Sequence, residues 1–244
     1  MPVDLLAIMA HPDDAELLCG GTLAVSGDQG HRTAIVDLTR GELGSKGTPE
    51  IRAAEANDAA AVLGISAREC LGLPDGHLAG TDAMRRAVVE AIRRHRPRVI
   101  ITHYVVGRHP DHRTTSELVR DASFLSGLKN YPADGAPFRP ERVVYTMAYR
   151  EDDVRPSFIV DTTAGLERKL KAMACFASQW DGETKQGGEL HPTGQHLFDL
   201  VRMQDAHVGS RIRRPYGEPY WMPEAVAVTD LLVLGTPAQG PAPS

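Results

Sequence analysis

Cysteine is scarce in these 244 residues, with three in all: Cys19, Cys70 and Cys175. They are odd in number, far apart and never form a Cys-x-x-Cys pair. That pattern argues against a disulfide framework and for a reducing, cytoplasmic setting. Positive charge is not in excess either. Lys and Arg total 27 against 32 Asp and Glu, a net charge of −5, and no long basic run occurs, so no nucleic-acid partner is expected. No apolar stretch approaches the roughly 18–20 residues of a spanning helix, so no membrane partner is expected. The opening Met-Pro-Val-Asp-Leu-Leu has no basic stretch and runs straight into a strand pattern, which does not read as a signal peptide. No Gly-x-Gly-x-x-Gly follows a strand, and Cys19-Gly20-Gly21-Thr22 comes only after an acidic cluster. A nucleotide-binding module of Rossmann type is therefore disfavoured. Hydrophobic residues make up 42% of the chain, enough for a sizeable core. The length predicts one domain over 1–234, followed by a flexible Pro/Gly/Ala-rich tail at 235–244.

What is present is a regular alternation of strand and helix patterns. Val3–Ala10, Thr33–Thr39, Glu69–Leu73 and Arg98–Tyr104 read as strands. Between and after them, Ala15–Gln29, a segment capped by Thr48 and stopped by Gly64, Asp82–Arg96 and His112–Leu128 read as helices. Further along, Val143–Tyr149 and Ser157–Asp161 read as strands. Thr163–Ser178 and Gln195–His207 read as helices, and Gly182–Thr193 as a loop. The fold class this predicts is α/β, a Rossmann-like, doubly wound and mostly parallel sheet with helices on both faces. Ligands in such sheets bind at the C-terminal edge of the strands.

Two blocks are delivered to that edge: His11-Pro12-Asp13-Asp14 after the first strand, and His109-Pro110-Asp111-His112 after the fourth. A catalytic zinc site takes three His or carboxylate ligands and leaves one position open, and His11, Asp14 and His112 supply that set. Two histidines and a carboxylate also suit iron(II), so zinc is expected but not dictated. Asp13 is left beside the ligands where a general base is needed. His109 is placed to stabilise an oxyanion and protonate a leaving amine. Asp111 would orient His109 or a metal ligand. Taken singly, the Asp-Asp pair is an ordinary helix cap and the His-Pro-Asp-His a turn. Together at one sheet edge they read as the parts of a metal-dependent amide hydrolase. A silent metal binder would carry the ligands without needing Asp13. Cys19 reads as a small buried residue, and His103 as a hydrogen-bonded neighbour of the site.

These motifs resemble the PIG-L/LmbE-like family of zinc-dependent N-acetylglucosamine deacetylases, from Leu5 to about Gln179. The resemblance implies zinc on His11, Asp14 and His112, with Asp13 as base and His109 as acid or oxyanion group. Further segments are similar to the bacillithiol-biosynthesis branch: Leu38–Ser45, Glu50–Glu55, Leu73-Pro74-Asp75, Arg108 and Ser178-Gln179-Trp180. That branch deacetylates N-acetylglucosaminyl-malate. It implies that Arg52 and Asp75 bind sugar hydroxyls, that Arg108 works at the rim, and that the protein is a homo-oligomer, a hexamer by analogy. By helix spacing alone, Arg52 would pair with Glu55. Gly107 departs from the related mycothiol-pathway enzymes, which carry a tyrosine there. The stretch with Tyr216, Tyr220 and Trp221 matches only loosely and is expected to form the rim that selects the aglycone.

Overall fold

The computed structural model of the chain describes residues 2–147, 154–180 and 196–230. The loop expected at Gly182–Thr193 and the tail at 235–244 lie outside the described residues. Among the described residues, no helix is long and apolar enough to cross a membrane.

The elements run β1 (Leu5–Met9), α1 (Asp14–Asp28), β2 (Thr33–Thr39), α2 (Pro49–Leu63), β3 (Ala67–Leu73), α3 (Asp82–His95), β4 (Val99–His103) and α4 (Pro110–Leu125). After them come β5 (Arg142–Thr146), β6 (Phe158–Asp161), α5 (Leu166–Ala174), α6 (Leu197–Ser210) and β7 (Gly217–Trp221). Local chemistry explains several boundaries. Thr48 Oγ1 accepts from the Ile51 N–H at the start of α2, and Gly64 closes that helix at φ 75°, where glycine meets no Cβ penalty. α4 starts earlier than expected because His109 is its N-cap and Pro110 its first residue. The second motif is thus the first turn of a helix rather than a loop before one.

The seven strands are ordered β3-β2-β1-β4-β5-β7-β6. β1 to β5 are mutually parallel, and β7 runs antiparallel between β5 and β6. Alternate residues of β1 serve opposite cores. Leu6 and Ile8 pack with α3 and α4 residues such as Val88, Ile92 and Val119, while Ala7 and Met9 pack with Ala15, Cys19 and Leu23 of α1. Burial on both faces is why these strands read as continuous apolar runs. Cys19 is fully buried, as expected, and its thiol donates to the Ala15 carbonyl oxygen.

β7 corrects the sequence reading. The Pro- and aromatic-rich stretch is a sheet strand, and Tyr220 is core: 1% exposed, with its hydroxyl 2.7 Å from Thr22 Oγ1. It therefore cannot be part of a substrate rim. α1 also departs from a regular helix at Cys19 (φ −144°, ψ 15°). The Gly21 and Thr22 N–H groups then donate to Glu218 of β7 at 2.9 and 2.7 Å. Lys169 Nζ completes this buried cluster, 2.8 Å from both Glu218 and Asp205.

Candidate active site

Strand order reverses between β1 and β4, the crevice where open α/β sheets place ligands. The first motif leaves β1 and the second follows β4, so the fold brings both to one edge. The His11 N–H donates to Asp14 Oδ2 at 2.9 Å, closing the turn that aims both side chains at one point. Between them Asp13 is held at φ 113°, ψ −26°, and its side chain caps nothing in α1. The plain helix-cap reading of Asp13 is thus not what the structure shows.

Asp14 is the hub. Its Oδ2 lies 3.2 Å from His11 Nδ1, and its Oδ1 lies 3.3 Å from His112 Nε2. Asp14 thus touches both histidines, and two overlapping groups, His11–His109–His112 and Asp14–His103–His112, each bring their ligand atoms within 4.8 Å of one another, a donor set that suits a small divalent cation. Burial opposes the Asp14 charge, but His112, His103 and His11 together prevail and hold the carboxyl well below its usual range. His103 stands where it was expected, a hydrogen-bonded neighbour. It is buried, accepts the Ala10 N–H on Nε2 at 3.0 Å and stacks on His112 with ring centroids 3.9 Å apart. Burial lowers its pKa to about 4, so at neutral pH Nε2 is a lone pair. Its 3.3 Å approach to Asp14 Oδ2 is then a packing contact rather than an ion pair.

The far nitrogen of His11 meets two carboxylates, Asp75 Oδ1 at 3.1 Å and Asp111 Oδ2 at 3.4 Å. Burial works against a charged His11, but the hydrogen bonds it donates to Asp111, Asp14 and Asp75 prevail and push its pKa up to about 12. Asp111 thus faces His11. It touches His109 through its backbone, whose N–H donates to His109 Nδ1 at 3.2 Å. In the neutral ring this leaves the proton on Nε2. Burial, then the neighbouring His112 and His11, lowers the His109 pKa.

His109, His11, Asp13, Arg52, Asp75 and Leu43 line a cleft of about 440 Å³. Burial and the Asp14 charge push the Asp13 carboxyl up to about 8, against the pull of Arg52 and His11. Arg52 does not pair with Glu55, which instead accepts from Ser178 N and Oγ. Its guanidinium binds the Gly41 and Pro12 carbonyls at 3.0 and 2.6 Å and Asp13 Oδ2 at 3.1 Å. A Cβ at Gly41 would run into that guanidinium. Arg52 Nε is buried without a partner. Asp75 Oδ2 accepts from the Leu43 N–H at 2.8 Å, so both its oxygens are engaged. Arg108 is exposed on the loop before His109, a loop braced by Arg113 through the Gly107 and Arg108 carbonyls. Of the C-terminal aromatics, Trp221 packs edge-on against Tyr104 just past β4.

The PIG-L family model, described as GlcNAc-PI de-N-acetylase, matches residues 6–123, which span both motifs. The conserved protein TT1542 from Thermus thermophilus superposes with a TM-score of 0.84 at 38% identity, over 94% of this chain and 98% of that one. The chain belongs to the PIG-L family. Membership makes it a hydrolase of the deacetylase kind. A diacetylchitobiose deacetylase from Thermococcus kodakarensis is 28% identical over 72% of this chain and 70% of its own length. A 1D-myo-inositol 2-acetamido-2-deoxy-alpha-D-glucopyranoside deacetylase from Segniliparus rotundus is 29% identical over 58% of this chain, which spans 56% of that protein.

Proposed function

We propose that this protein is a metal-dependent deacetylase of an N-acetylglucosamine conjugate. The observation that carries the reading is Asp14 in contact with both His11 and His112, beside a strained Asp13 whose side chain shares a cleft with His109. Bound there, a divalent cation supplies a Lewis acid that polarises the acetamide carbonyl and lowers the pKa of a water to about 7. Asp13 takes the proton of the attacking water. The His109 Nε2–H hydrogen-bonds the carbonyl oxygen as it gains negative charge, and Asp13 returns the water's proton to the nitrogen as the C–N bond breaks. Acetate and a free amine leave. Asp111 orients His11 by its carboxylate and His109 by its backbone.

The ion expected is zinc, with iron(II) the other divalent metal that this ligand set suits. N-acetylglucosaminyl-malate is the substrate put first. Arg108 is exposed beside His109 and suits a malate carboxylate, and the unpartnered Arg52 Nε suits a sugar hydroxyl. The names of the relatives make diacetylchitobiose and inositol-linked N-acetylglucosamine the competing substrates. A cytoplasmic homo-oligomer, hexameric by resemblance, belongs to the same reading. The test is amine release from all three conjugates and from N-acetylglucosamine, with zinc-loaded and metal-stripped protein. Metal-dependent preference for the malate conjugate is expected. Preference for another conjugate overturns the substrate, and no amine from any overturns the reaction.

A further inference from the structure

Asp75 is the carboxylate in the cleft with the least freedom to meet a ligand. It is 7% exposed, and its backbone N–H donates to Glu42 Oε1 at 3.0 Å. One side-chain oxygen accepts the Leu43 N–H, and the other reaches His11 Nε2 at 3.1 Å. Next door, Asp111 Oδ2 accepts the Gly76 N–H at 2.7 Å and stands 3.4 Å from the same His11 nitrogen. The imidazole is therefore fixed at both ends, Nε2 toward two carboxylates and Nδ1 toward Asp14. A hydrogen-bonded carboxylate behind a metal-binding histidine sets its tautomer, fixes its ring and raises its basicity.

We propose that Asp75 is a positioning residue of the metal centre rather than a sugar ligand, holding the His11 Nε2–H so that Nδ1 is offered to the ion. The inference rests on the reading that His11, Asp14 and His112 bind the metal. It has a second consequence for the cleft wall. The same carboxylate anchors Leu43, so the loop over residues 40–44 and the orientation of His11 are set by one group. A competing arrangement would use His11, Asp75 and Asp111 as ligands themselves, since their donor atoms lie within 4.8 Å of one another. That arrangement requires the ion on Nε2, where the two carboxylates now meet the proton.

Asp75→Asn discriminates. An amide offers one acceptor oxygen, so it must forfeit either the Leu43 N–H or the His11 Nε2–H. Zinc affinity, measured by competition with a chelator, is expected to fall roughly 10–100-fold. The visible spectrum of the cobalt(II) form is expected to shift, with KM at saturating metal unchanged. Zinc affinity within twofold of wild type overturns the proposal, and a tenfold rise in KM alongside it would make Asp75 a sugar ligand. Should the variant not fold, the wild-type protein decides. With cadmium-113 and nitrogen-15 histidine, coupling through His11 Nδ1 with a retained Nε2–H is expected, and coupling through Nε2 refutes it. Wild-type protein that takes up no zinc, or a His112→Ala variant that binds it equally well, would instead remove the reading on which this rests.

Discussion

Replacing Asp13 by glycine and by alanine separates the chemistry of its carboxylate from the strain of its backbone. Both variants lose the 3.1 Å contact to Arg52 and the repulsion from Asp14, so those terms cancel between them. Alanine keeps its Cβ at φ 113°, a region costing about 1–3 kcal/mol. Glycine escapes that strain but loses about 0.5–1 kcal/mol more conformational entropy on folding. The glycine variant is therefore expected to be the more stable by about 1 kcal/mol, or roughly 2–4 °C in Tm for a chain of this size. Thermal unfolding of the metal-free proteins measures this without interference from ion affinity. Turnover of the zinc-loaded forms is expected to fall at least about 100-fold in both, with the metal retained. Equal melting midpoints would refute the strain argument. Undiminished turnover in either variant would refute the role of base, and metal loss matching that of Asp14→Ala would refute the division of labour between the two aspartates.

Lys169→Met removes the ammonium between Asp205 and Glu218, and urea unfolding is expected to show a loss of about 3–5 kcal/mol. Asp75 is held at about 2, chiefly by its hydrogen bond from His11. Folding thus favours the ionised form, and this stabilisation is complete above the unfolded value near 4 and lost as pH falls toward 2. Urea midpoints of the metal-free protein between pH 5 and 2 should accordingly fall less steeply in Asp75→Asn. Removing the metal with a chelator should abolish turnover and zinc should restore it. Free zinc at about 100 times its Kd should raise unfolding stability by about 2.7 kcal/mol.

The parts legible in the sequence were those whose causes are local or periodic. Thr48, Pro49 and Gly64 mark α2 because capping needs only neighbours. β1 and β4 show as apolar runs because both faces are buried, and the motifs after them show because the metal chemistry needs those residue types. The rest depends on partners remote in the chain. Arg52 looked like a helix-surface partner of Glu55, yet its acceptors are Pro12, Asp13 and Gly41. The Asp75 contact with His11 has no signature in either segment. β7 was hidden by Pro219, which has no N–H for a ladder. The strand tolerates it because its register with β5 covers only Tyr145 and Thr146 opposite Trp221 and Tyr220. Lys169, Asp205 and Glu218 resemble surface charges until they are seen packed together.

The break in α1 also bears on the order in which a ribosome delivers this chain. The helix carrying Asp14 is made well before β7, yet two of its N–H groups are satisfied by Glu218 of that strand. Buried and unsatisfied, such groups cost about 1–3 kcal/mol each. A nascent chain made only as far as α5 therefore has both motifs but not the acceptor that seats the helix of the first. The lock on the helix that carries Asp14 thus waits on synthesis of β7.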